Sequence, residues 1–168
     1  RASMMLVTPD GQDPCISLNT FESGRNFANK LWNASKLVML NCDGRKTDIL
    51  ASYKNLDLID KWILSRLNRA IQEVTNLMQG YRFNSSVKIL YDFVWHDFCD
   101  WYLELIKPRL FQTGTTQTNL SDGAVAVHVL DNILRLLHPF VPFITEEIWH
   151  HLYAYPVDDM TKTIMQAE

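Results

Sequence analysis

Between residues 56 and 79 the apolar side chains Leu56, Ile59, Ile63, Leu67, Ile71, Val74 and Met78 recur at steps of three and four, the repeat of one buried helix face, and Gly80 supplies a stop. Phe27, Leu31, Ala34 and Val38 repeat the same spacing, which predicts a helix capped by Ser17 or Asn19 and stopped at Asn41. A third helix is expected from about Asn84, with Val87, Leu90, Val94, Phe98, Trp101 and Leu105 inward, an acidic opposite face, and Pro108 beside its end. Ser121 is expected to cap a fourth, burying Ala126, Leu130, Ile133 and Leu137, and His138-Pro139 to break it before a fifth from about Pro142 to Tyr153. Residues 42–55 and 111–120 read as loops, and the tail from Pro156 is weakly patterned. Six glycines and six prolines are few for an all-β design, so the expected fold is an all-α antiparallel bundle of four to five helices. One domain accounts for the 168 residues: a connecting tail over 1–16, the bundle over 17–154 and an extension over 155–168.

Hydrophobic residues make up 47% and charged residues 21%, the balance of an ordinary globular protein. A formal net charge of -3 argues against a nucleic-acid partner, because phosphate is neutralised by Lys and Arg. Charge is local, however. Residues 22–46 set Arg25, Lys30, Lys36, Arg45 and Lys46 against only Glu22 and Asp43. Cys15, Cys42 and Cys99 are far apart and odd in number, which reads as free thiols in a reducing compartment. With no run of eighteen apolar residues and no signal-peptide pattern, a cytoplasmic location without membrane contact is the expectation. The start at Arg1 and the stop at Glu168 read as the edges of an excised piece.

No catalytic residue is assigned, since His-Glu-x-x-His, the phosphate-cradling Gly-x-x-x-x-Gly-Lys and the nucleophile elbow are all missing. Glu147-x-x-His150 has the spacing by which ferritin-like bundles hold a metal, but such sites need two of these motifs and two further carboxylates. Glu146 and Glu147 are better read as first-turn acids favoured by the helix dipole, beside an exposed histidine pair, and no metal is assigned. Cys99 with His96 is better read as a buried thiol than as a nucleophile, and the aromatic run Phe93, Trp95, Phe98, Trp101, Tyr102 mostly as packing. The first helix is more informative: Asn26, Lys30, Asn33 and Leu37 line one face, with Lys36 alongside. Such a face suits RNA, and equally suits plain solvation.

The segments Gly24-Arg-Asn-Phe-Ala-Asn-Lys-Leu-Trp-Asn-Ala-Ser35, Asp60-Lys-Trp-Ile-Leu-Ser-Arg-Leu67, Phe98-Cys-Asp-Trp-Tyr-Leu-Glu104 and His138-Pro-Phe-Val-Pro-Phe-Ile-Thr-Glu-Glu-Ile-Trp149 resemble the valyl-tRNA synthetases, in that family's order. Isoleucyl and leucyl synthetases share the bundle and a segment like the last, so the equivalent domain of either is the alternative within the class. The resemblance implies the anticodon-binding domain of a class I synthetase, joined to an upstream catalytic domain that uses ATP with Mg; no cofactor is expected in this fragment, which should be inactive alone. Its implied partner is the anticodon loop of valine tRNA, bound by a monomer, with Lys30, Asn33, Lys36, Leu37, Leu103 and Glu104 as the carried-over contacts. Asn33 can both donate to and accept from adenine, Glu104 can accept from cytosine, and Lys30 and Lys36 would neutralise phosphate. Where relatives often have Arg-Phe, this chain has Lys36-Leu37, which removes an aromatic stacking face. A helical protein-interaction module without an RNA role is the competing reading.

Overall fold

The computed structural model describes residues 18–41, 56–110, 120–153 and 163–166. Helix α1 spans Leu18–Asn41, α2 Leu58–Gln79, α3 Phe83–Asp92, a π-helical stretch π1 Phe93–Tyr102, α4 Leu103–Leu110, α5 Leu120–Leu137 and α6 Pro142–Leu152, before a short 3-10 turn at Ile164–Gln166. Because α3, π1 and α4 follow without a break, the described residues form five helical rods, as the periodicity predicts. None of these helices is long and apolar enough to cross a membrane. The loops expected over 42–55 and 111–120, and Ser17 as a cap, lie outside the described residues except for Leu120, which is helical rather than loop. Asn19 and Ser121 are not caps, because α1 starts at Leu18 and α5 at Leu120.

The α2–α3 connection shows how the chain turns a corner. The N–H of Arg82 donates to the carbonyl of Leu77 at 2.9 Å and that of Tyr81 to Met78 at 3.0 Å, the paired bonds that close a helix C-terminus. Gly80 stands at the cap with φ -87°, so the left-handed conformation falls on Tyr81, at φ 56°. At the other end of α2, the Asp57 side chain accepts from the N–H of Leu58 at 2.6 Å and pairs with Arg109, tying the start of α2 to the end of α4. The Arg109 guanidinium, helped by that backbone bond, holds the Asp57 carboxyl below its ordinary range.

The third rod departs from expectation in a way that matters for function. Trp101 and Leu105, predicted inside, are 62% and 45% exposed, whereas Tyr102 and Ile106 are fully buried. The buried line runs Leu90, Val94, Phe98, Tyr102, Ile106, in steps of four throughout. On an α-helix each four-residue step overshoots a full turn by about 40°, so such a line would wind off the core. Bonds from residue i to i+5 widen the turn and keep it inward; the N–H of Leu103 donates to the carbonyl of Phe98 in this pattern. Pro108 lies beside the end of the described rod as expected, inside its last turn, which runs to Leu110. Its ring sits on the exposed side, where water can satisfy the carbonyl that the missing N–H leaves open.

Inside, α1, α2, the third rod and α5 share one apolar core centred on residues such as Leu31, Ile63, Phe98 and Leu130, closed by Ile148 and Leu152 of α6. Two buried acids are built into it. The Tyr102 hydroxyl donates to Asp60 at 2.9 Å across the seam between π1 and α2. The Trp149 indole N–H donates to Asp131 at 3.0 Å, and Arg135 Nε donates to the other carboxylate oxygen at 2.8 Å. The end of the tail also rejoins the bundle: Ile164 is buried, and its N–H donates to the Glu146 carboxylate at 3.2 Å.

Candidate nucleic-acid interface

Helix α1 presents its apolar stripe inward as predicted, with Phe27, Leu31, Ala34 and Val38 all buried. Its polar edge meets π1. Phe27 stacks on Tyr91 with ring centroids 5.1 Å apart, Tyr91 stacks on Trp95 at 5.3 Å, and the Lys30 ammonium lies 4.0 Å from the Trp95 centroid. The same ammonium pairs with Asp100 Oδ1, while His96 Nδ1 stands 3.2 Å from Asp100 Oδ2. Lys30 is the main reason that the Asp100 carboxyl sits below its ordinary range. Residue numbers rise together across these contacts, so α1 and the third rod run in the same direction along the seam. Glu104, one turn beyond Asp100, is therefore carried along the rod in the direction in which α1 presents Asn33 and Lys36.

The six predicted contacts fare differently. Asn33, Lys36 and Glu104 are exposed, and Leu37 is half-buried against the core edge. Lys36 lies 5.9 Å from the centroid of Trp32, and Lys107 pairs with Glu104 Oε1. Lys30, expected to neutralise phosphate, has its ammonium paired with Asp100 over the Trp95 face. Leu103 departs furthest: at 2% exposure its side chain belongs to the core and offers no surface to a base. It lies next in the chain to the buried Tyr102, and the widened turns ahead of it bring both inward. Sequence reasoning missed Asp100 and the ring ladder beneath Lys30, and weighed His96 only beside Cys99; the available signal was the acid at 100 four residues after His96 and four before Glu104.

Two other constellations resolve into structure. His150, expected to be exposed, is buried and stands 3.3 Å from Glu146, while Glu147 pairs with His151 at 3.1 Å, so Glu147 and His150 do not converge on a common point. Nor are these acids in the first turn, since α6 begins at Pro142. Burial pushes the Cys99 thiol up to about 12, which removes the thiolate a nucleophile requires.

Residues 60–168 match the family described as the anticodon-binding domain of tRNA ligase. This chain belongs to that family. The match includes Ile164, whose N–H donates to the Glu146 carboxylate of α6. Among curated relatives, the valine–tRNA ligase of Dehalococcoides mccartyi is 43% identical over 97% of the chain and that of Thermotoga maritima 45% identical over 90%. The valine–tRNA ligase of Bacillus subtilis is 46% identical over 84%. The chain spans only 16 to 18% of these relatives' own length.

Proposed function

We propose that this chain is the anticodon-reading domain of a valine–tRNA ligase and that it discriminates the second and third anticodon bases. Valine codons begin with G and U, so those two bases are A and C while the first varies. The observation that carries the reading is the seam in which Lys30, Trp95 and Asp100 join α1 to π1, because it sets the amide and amine face of α1 beside the carboxylates of the third rod. Unpaired loop bases expose their hydrogen-bonding edges. Asn33 donates to and accepts from adenine; Glu104, with one oxygen engaged by Lys107, accepts from the cytosine amino group through the other. Lys36 faces phosphate, and Leu37 gives apolar contact at the edge.

In this reading the parent protein is a cytoplasmic monomer that charges valine tRNA in an ATP- and Mg-dependent reaction. Its upstream catalytic domain supplies that chemistry, and the present chain contributes no catalytic residue, metal or cofactor. A fluorescence titration of the 168-residue chain with an anticodon stem-loop, at low and moderate salt, tests the proposal. Salt-sensitive binding that prefers A and C is the expected result, and indifference to RNA overturns it in favour of a protein-docking bundle. Asn33→Ala should cost about 1–3 kcal/mol of discrimination and relax the preference at one base only. An unchanged preference removes Asn33 from the assignment.

A further inference from the structure

The third rod carries two adjoining exposed rails near its C-terminal end. One holds the carboxylates of Asp100 and Glu104; the next, about a quarter-turn round the rod, holds Trp101 and Leu105. A lone surface apolar residue requires no explanation. Here, however, an indole at 62% exposure stands four residues before a leucine at 45%, both turned outward by the π-helical stretch that turns Tyr102 and Ile106 inward. The widened turns thus sort one aromatic cluster into a core residue and a surface ring. Stretches of π-helix recur at functional sites, and this one borders the carboxylate assigned to cytosine.

If two bases are read by hydrogen bonds, the first anticodon base still has to be held, and held without regard to its identity. Hydrogen-bond readout cannot do that, whereas stacking on an aromatic face can, because every base has a π-face. Leu37 offers no ring. Building on the function proposed above, we propose that Trp101 is the stacking platform for the first, variable anticodon base, with Leu105 flooring the same apolar rail. Trp101 and Glu104 lie three residues apart on a helix about 10–12 Å across, a width over which successive splayed nucleotides can reach adjoining faces.

The test uses the 168-residue chain and stem-loops that keep A and C while carrying each of the four bases, or an abasic sugar, at the first anticodon position. Trp101→Ala should weaken binding of all four loops by a similar factor, about 5- to 150-fold, and leave the A and C preference intact. Trp101→Phe should restore most of the loss. The abasic loop should bind the unaltered chain more weakly by that same factor and lose nothing further with Trp101→Ala. Because the indole is exposed, helicity measured by circular dichroism should not change; should the variant misfold, the abasic comparison on the unaltered chain decides alone. Loops that bind Trp101→Ala as tightly as the unaltered chain, an effect confined to one base, or an abasic loop as tight as the others each overturn the stacking assignment while A and C are still preferred. Loss of the A and C preference in the unaltered chain sinks the proposed function instead, and the platform with it.

Discussion

Two seams of the bundle place a tryptophan beside an aspartate, and they behave differently because one is dry. Between α5 and α6, Asp131 is 8% exposed and accepts from both the Trp149 indole and the Arg135 guanidinium. Between α1 and π1, Asp100 has a side chain 42% exposed, shared by Lys30 and His96, with the Trp95 ring beneath the ammonium rather than bonded to the acid. In the dry seam each polar group must be matched, since an unmatched one costs its full desolvation. In the wet seam water competes for every partner, so the pair adds little stability and its members can exchange partners. The first holds the bundle together; the second keeps a surface in register.

The sharpest way to break that contrast is to remove both acids' contributions and compare. Asp131→Ala should lower unfolding stability by about 1–3 kcal/mol, the cost of leaving the buried Trp149 indole N–H without its acceptor, whereas Lys30→Ala should cost no more than about 1 kcal/mol. Urea titrations with unchanged slope read both numbers. Equal losses would mean that the outer seam is as structural as the inner one.

A smaller effect separates the seams by pH. His128 lies on α5, and burial lowers its pKa below the ordinary 6.5, with Arg135 acting in the same direction and the nearby Asp131 opposing. The unfolded chain therefore takes up a proton at about the ordinary value while the folded chain resists it, so stability falls as pH drops below 6.5 and recovers above it. Asp100 is the reverse case: Lys30 depresses its pKa, so its contribution is present above the ordinary 3.8 and disappears only as pH falls through the lowered value. Denaturation midpoints at pH 7 and pH 5 should drop for the unaltered chain and drop less for His128→Gln. A slope unchanged by that substitution would assign the acid sensitivity elsewhere.

The sequence made most of the fold legible, because the stripes of α1 and α2 repeat at three and four and their inward residues are buried as expected. It was misleading where the backbone abandoned that repeat. Trp101 and Leu105 fit an α-helical stripe, and only the unbroken spacing of four from Leu90 to Ile106 hinted that the turns were wider. Leu103, carried over from the family resemblance, is buried beside that stretch. Lys30 was legible as a cation on the right face but not as a committed one, since its partners Trp95 and Asp100 lie 65 and 70 residues away and only packing brings them together. Tyr81 held a similar surprise: Gly80 is the residue made for a left-handed turn, yet the neighbouring tyrosine adopts it.

The smallest expected effect asks whether the wet seam stays closed when RNA arrives. A cation already paired with a carboxylate brings little net charge to phosphate, whereas Lys36 is exposed, with the Trp32 face 5.9 Å from its ammonium. Each phosphate neutralised on a single strand steepens the logarithmic salt dependence by about 0.7. With an anticodon stem-loop titrated across a salt series, Lys36→Ala should flatten that slope by roughly this amount and Lys30→Ala by clearly less. An equal flattening from both would mean that Lys30 leaves Asp100 on binding. The freed carboxylate would then stand one turn from Glu104, and the seam would act as a latch opened by RNA rather than as a fixed frame for reading it.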